Sequence, residues 1–132
     1  MDKVKQVIVI RTDLRNSNGH KVRTGKLIAQ ACHASIAFLT SLIREYHAET
    51  IPLTKAQSEW IHGSFFKVCV GVDAEQELLD IRDKAVSMGI ECNLIEDQGH
   101  TEFNNVPTNT CLALGPDYSS KLDPITGHLK LL

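Results

Sequence analysis

The chain has 132 residues, 42% of them hydrophobic and 23% charged, which suits one domain around one core and leaves little room for a second. A net charge of -2 excludes a whole-protein basic footprint for nucleic acid. No apolar run is expected to reach the length of a bilayer span and the first residues lead straight into a strand-like segment, so a soluble, cytoplasmic protein without a membrane partner is expected.

Residues 6–11, Gln-Val-Ile-Val-Ile-Arg, form a β-branched run too short for a helix and read as a buried first strand. A surface loop rich in Asn, Ser and Gly follows from Thr12 to Gly25. From about Lys26 to Tyr46, apolar residues recur at Leu27, Ala31, Ala34, Phe38 and Leu42, the spacing of the main packing helix. A shorter helix is expected over Thr54–His62, capped by Thr54 and ended by Gly63. Residues 66–72 read as a second strand, and Asp73 is the expected cap of a helix running to Met88 and closed by Gly89. Residues 91–95 read as a third strand. The last runs from Thr110 to Leu114 and stops at Gly115-Pro116, with a short polar turn leading to Thr126–Leu132. Strand-helix-strand order implies parallel strands with a right-handed crossover. The sum is a three-layer α/β/α sandwich around a small mixed sheet of about four strands, one domain over residues 1–132.

Charge is unevenly spread along this frame. The first 50 residues hold eight basic and four acidic side chains, and Arg11, Arg15, Lys21, Arg23 and Lys26 with His20 make a local basic patch able to contact a phosphate backbone. A solvated loop would look the same. In the segment Thr24–Ser35, Lys26, Gln30 and His33 share one helix face, beginning at a helix start led by Gly25. Free N–H groups, the dipole and a lysine suit that end to an anion or a developing oxyanion; the plain alternative is a solvated edge of a core helix. Ligands of open α/β sheets bind beyond the carboxyl ends of the strands. There the chain places Arg11, Thr12 and Asp13 after the first strand and the run Asp97 to Glu102 after the third. Gly99 permits a tight turn, while Asp97 and Thr101 offer a carboxylate and a hydroxyl, although an Asx-turn satisfying only its own backbone is the simpler reading. Thr108 and Thr110 point opposite to Asn109 in the last strand.

The cysteines at 32, 69, 92 and 111 lie in apolar patterns without metal-ligand spacing, and the six histidines form no constellation, so buried reduced thiols, no metal and no cofactor are expected. P-loop, GxGxxG and Gly-x-Ser-x-Gly fingerprints are absent, which argues against a nucleotide cofactor and an acyl-serine hydrolase.

Several segments, in order, resemble the type II peptidyl-tRNA hydrolase family over nearly the whole chain. They are Arg11-Thr12-Asp13-Leu14, the helix from Gly25-Lys26 to His33-Ala34, Trp60 with Gly63 and Lys67, Asp97/Gly99/Thr101, Pro107-Thr108-Asn109-Thr110, Gly115-Pro116, and Thr126 to Leu131. The resemblance implies hydrolysis of the ester between a peptide and the 3′-terminal ribose of tRNA, with peptidyl-tRNA as partner and a homodimer as an expected assembly. It implies catalytic roles for Lys26, Asp97, Thr101 and Thr108. Arg11, Gly25, Gln30, His33, Gly99 and Thr110 are the expected substrate contacts. The 15–24 loop is longer than the family's usual approach to the helix, and Gln98 stands where a small residue is common. An adaptor that binds tRNA or protein without catalysis is the alternative use of the same scaffold.

Overall fold

A computed structural model describes residues 2–99, 102–103 and 105–132 of the chain. Among these residues five strands form one sheet: β1 (Val4–Arg11), β2 (Lys67–Val72), β3 (Cys92–Asp97), β4 (Thr108–Tyr118) and β5 (Lys130–Leu131), in the order β3-β4-β1-β2-β5. β1 and β2 are parallel, while β4 runs antiparallel to both its neighbours and β5 antiparallel to β2. The fifth strand, beyond the four expected, is the short pairing of Lys130–Leu131 with Val70 and Gly71. β2 and β3 share a direction but are separated by β1 and β4, so the crossover spans the sheet instead of joining neighbours.

Helices α1 (Thr24–Tyr46) and α2 (Lys55–His62) cover one face, and α3 (Glu75–Ser87) and α4 (Ser119–Thr126) the other. Central β1 is buried from Gln6 to Ile10, which explains its unbroken apolar run. Its side chains alternate: Val7 and Val9 join Val70, Val72, Leu78, Ile81, Leu112, Leu114, Leu122 and Ile125 on the α3/α4 face. Ile8 and Ile10 meet Ala34, Cys111 and Ala113 beneath α1.

Thr54 caps α2 as expected, through a reciprocal box in which its hydroxyl accepts from the Gln57 N–H and the Gln57 amide oxygen accepts from the Thr54 N–H. Asp73 does not cap α3. Ala74 occupies that position, and the Asp73 carboxylate accepts from the Thr12 hydroxyl at 2.6 Å. β4 does not end at Gly115-Pro116 but runs through it to Tyr118. The expected polar turn beyond is α4, which buries Leu122, Ile125 and Thr126. Contrary to the sequence expectation, α1 is long and apolar enough to cross a bilayer by length and composition. It packs its Gln30, Ala34 and Phe38 side against the sheet, while Ile28, Ile36 and Ile43 stay exposed.

The 12–23 segment is a built structure. Arg15 and Lys21 form an antiparallel bridge, Asn16 accepts from the backbone N–H groups of Asn18 and His20, and Leu14 and Val22 pack with Phe103. Glu102 ties the segment down: its backbone carbonyl accepts from Ser17 N–H at 3.0 Å, and its buried carboxylate binds the Arg23 guanidinium.

Candidate active site

Three strands end, and one begins, along the same edge of the sheet, so Arg11, Val72, Asp97 and Thr108 come together there. α1 starts above this edge, which brings its first two turns to the end of β3. Lys26 Nζ lies 2.6 Å from Asp97 Oδ2, and Gln30 Nε2 donates to that same oxygen at 2.9 Å. Asp97 Oδ1 accepts from the Gly99 N–H at 2.6 Å. One carboxylate oxygen therefore closes the Asx-turn and the other faces the helix, so Asp97 does not satisfy only its own backbone.

Gln30 is only 6% exposed and belongs to no solvated edge. Its amide oxygen accepts from the Thr110 hydroxyl at 3.0 Å, which orients the amide so that its NH₂ group reaches Asp97. Thr110 reaches α1 because the β3/β4 register slips: Ile95 pairs with Cys111 but Glu96 pairs with Asn109, leaving Thr110 as the extra residue. Bulges of this kind re-aim side chains beside functional sites. Here Thr110 and Cys111 both turn toward α1, where the Cys111 thiol donates to the Gln30 backbone carbonyl at 3.4 Å.

Gly99 has φ +83, and a Cβ there would run into the Val106 backbone; the loop that holds Asp97 can thus close only on glycine. Thr108 is the cross-strand partner of Asp97, and its hydroxyl donates to the Val106 carbonyl at 2.8 Å. Gly25, in the first turn of α1, is exposed, and a Cβ there would meet open space. His33 continues the Lys26–Gln30 stripe but is exposed, at one end of a groove between α1 and β3. Thr101, and His100 beside it, lie outside the described residues.

Arg11, on the same edge, has partners of its own. It donates to both Asp13 carboxylate oxygens, at 3.0 and 2.8 Å, and to the Asn109 carbonyl at 3.0 Å, locking the end of β1 to the start of β4. The same guanidinium holds the Asp13 carboxyl below its ordinary value. Glu102, named only as the end of the run from Asp97, and Gln6, named only as part of the first strand, leave no local spacing signal because their partners Arg23 and Ser35 lie far away along the chain. Among the described residues, no group of His, Cys, Asp and Glu is arranged to hold a metal ion. Of the four cysteines, Cys111 is buried, Cys69 and Cys92 are partly buried, and Cys32 is exposed, against the expectation of four buried thiols.

Fold and site together define a small α/β/α protein with a lysine–aspartate pair at the carboxyl edge of its sheet, where such sheets hold ligands. The family model for peptidyl-tRNA hydrolase PTH2 matches residues 4–132, and the chain belongs to that family. It is 42% identical over 130 residues to a peptidyl-tRNA hydrolase of Methanocaldococcus jannaschii, a match covering 98% of this chain and 100% of that one. A probable peptidyl-tRNA hydrolase 2 of Dictyostelium discoideum is 35% identical over 127 residues, spanning 96% of this chain and 54% of that longer one. A solved structure of an Agrobacterium protein of unknown function covers 100% of this chain and 99% of its own at 15% identity and a TM-score of 0.50, a likeness of fold alone.

Proposed function

We propose that the Lys26–Asp97 pair is the reaction centre of a peptidyl-tRNA hydrolase, cleaving the ester between a peptide and the 3′-terminal ribose. The observation that supports this reading is the 2.6 Å contact between the two side chains at a helix N-terminus, flanked by Gln30. Asp97 takes a proton from a water, whose oxygen attacks the ester carbonyl carbon. The Lys26 ammonium and the first N–H groups of α1 stabilise the resulting oxyanion. When the intermediate collapses, the bond to the ribose oxygen breaks and that oxygen receives the proton held by Asp97, leaving tRNA and a peptide carboxylic acid, which gives its remaining proton to solvent.

Gln30 and Thr110 are positioning residues, holding the Asp97 carboxylate in one orientation through the chain of hydrogen bonds from the Thr110 hydroxyl. Thr108, opposite Asp97, is the group nearest in register to place water or substrate on that face. The exposed side chains of Arg15, Lys21 and Arg23, carried on the braced 12–23 segment beside the start of α1, are positioned to meet tRNA phosphates. The setting in which this chemistry serves is the cytoplasm.

The test is release of N-acetyl-aminoacid from N-acetyl-aminoacyl-tRNA by the purified protein. Lys26→Ala and Asp97→Ala should each lower turnover by about a hundredfold or more while the far-UV spectrum is unchanged. Full activity in both variants would remove the assignment, and an inactive parent protein would favour an adaptor role.

A further inference from the structure

The peptide half of the substrate needs a place, and a groove begins beside Glu96, the chain neighbour of Asp97. It has a volume of about 730 Å³ and lies between α1 and β3, with His33 and Glu96 at the end next to the site and Arg44 and Glu45 on its lining at the other. Ile36, Ala37, Thr40 and Ser41 form its helical wall. Among the described residues, β3 is the last strand of the sheet and pairs with β4 alone. Its other side offers alternate N–H and C=O groups to an extended chain.

We propose that this groove holds the peptide of peptidyl-tRNA as an added strand, parallel to β3. The direction follows from the site: the esterified C-terminal residue sits at Asp97, the carboxyl end of β3, so the preceding residues lead back toward Asn93. At about 3.3 Å per residue, the stretch from Asn93 to Glu96 accommodates about four peptide residues. Main-chain pairing suits a substrate whose side chains vary, since it reads no sequence. Charge argues against RNA in the same place, because Arg44 is outweighed by Glu45 and Glu96 along the lining, whereas the basic side chains of the 12–23 segment lie before α1. This inference rests on the peptidyl-tRNA reading above.

Its test is a series of peptidyl-tRNAs with the same C-terminal residue and peptides of one to six residues. For the unaltered protein, KM should fall by about tenfold between one and four residues and then level off, the effect of a few main-chain hydrogen bonds. N-methylation of alternate backbone amides in the four-residue peptide should abolish that gain. Ala37→Trp, which fills the groove, should leave the one-residue substrate unchanged and erase the advantage of longer ones. KM independent of peptide length and of N-methylation would overturn the proposal. So would an equal rise in KM for one- and four-residue substrates with Ala37→Trp, which would put tRNA in the groove. The N-methyl series needs no variant and decides the matter if Ala37→Trp does not fold. Failure to hydrolyse any member of the series would instead sink the peptidyl-tRNA reading itself, a result distinct from hydrolysis that ignores length.

Discussion

The two faces of the sheet are built from different materials. Under α3 and α4, β1, β2 and β4 present Val7, Val9, Val70, Val72, Leu112 and Leu114 to Leu78, Ile81, Leu122 and Ile125, and buried Thr126 donates its hydroxyl only to the Leu122 carbonyl of its own helix. Under α1, Ile8 and Ile10 meet the small residues Ala34, Cys111 and Ala113, and buried polar groups lie among them. Gln6 exchanges hydrogen bonds with Ser35, and the chain Thr110–Gln30–Asp97–Lys26 occupies the site end. Among the described residues no buried side-chain polar atom lacks a partner, so this polar face is fully paired. One face supplies stability through apolar burial, and the other gives up some of it to hold a carboxylate and an ammonium in fixed positions.

That division can be broken at either face. Asp97→Asn, on the polar face, should reduce turnover by a hundredfold to about ten-thousandfold, read in single-turnover assays on the folded fraction. Leu112→Ala, on the apolar face, should lower stability by about 2–5 kcal/mol, read by denaturant titration, while the folded fraction keeps its activity. Thr110→Val should do some of each: the unpaired Gln30 oxygen costs about 1–3 kcal/mol, and kcat should fall more than KM rises. If Leu112→Ala abolished activity in the folded fraction, the division of labour would be wrong.

Thiol chemistry gives a finer contrast. Burial pushes the Cys111 thiol up to about 11 and the Cys92 thiol up to about 12, so both stay protonated at neutral pH. Iodoacetamide at pH 8 should modify exposed Cys32 first, as mapped by mass spectrometry; early loss of Cys111 would show that the α1 face opens. The smallest effect concerns Asp13. Its carboxyl is held below the ordinary value by Arg11, so its stabilising contribution is present above the unfolded carboxylate value and is lost as pH falls through the lower folded one. Asp13→Asn should flatten the acid limb of the stability profile below about pH 4, by less than about 1 kcal/mol because the pair is partly solvated.

Much of this architecture could be read from periodicity: the β-branched run of β1, the helical spacing of α1, and the Thr54 and Gly63 boundaries of α2. What escaped was set by distant partners. α4 was hidden because it buries only Leu122, Ile125 and Thr126 in a polar, Pro124-containing stretch, and β5 because it is two residues long and exists only against β2. At the site, Lys26 and Asp97 were legible as residue types at a helix start and a strand exit. The burial of Gln30 was not, since its partners Asp97 and Thr110 lie 67 and 80 residues away. A one-residue slip between β3 and β4 turns Thr110 toward it, and register of that kind leaves no mark on spacing.

In the proposed mechanism Lys26 and Asp97 act as one unit, and a double-mutant cycle measures that coupling directly. Single-turnover rates for Lys26→Met, Asp97→Asn and the combined variant should show strong non-additivity, the double variant losing little more than the worse single one. Losses that simply multiply, or a single variant cleaving peptidyl-tRNA at the parent rate, would contradict it.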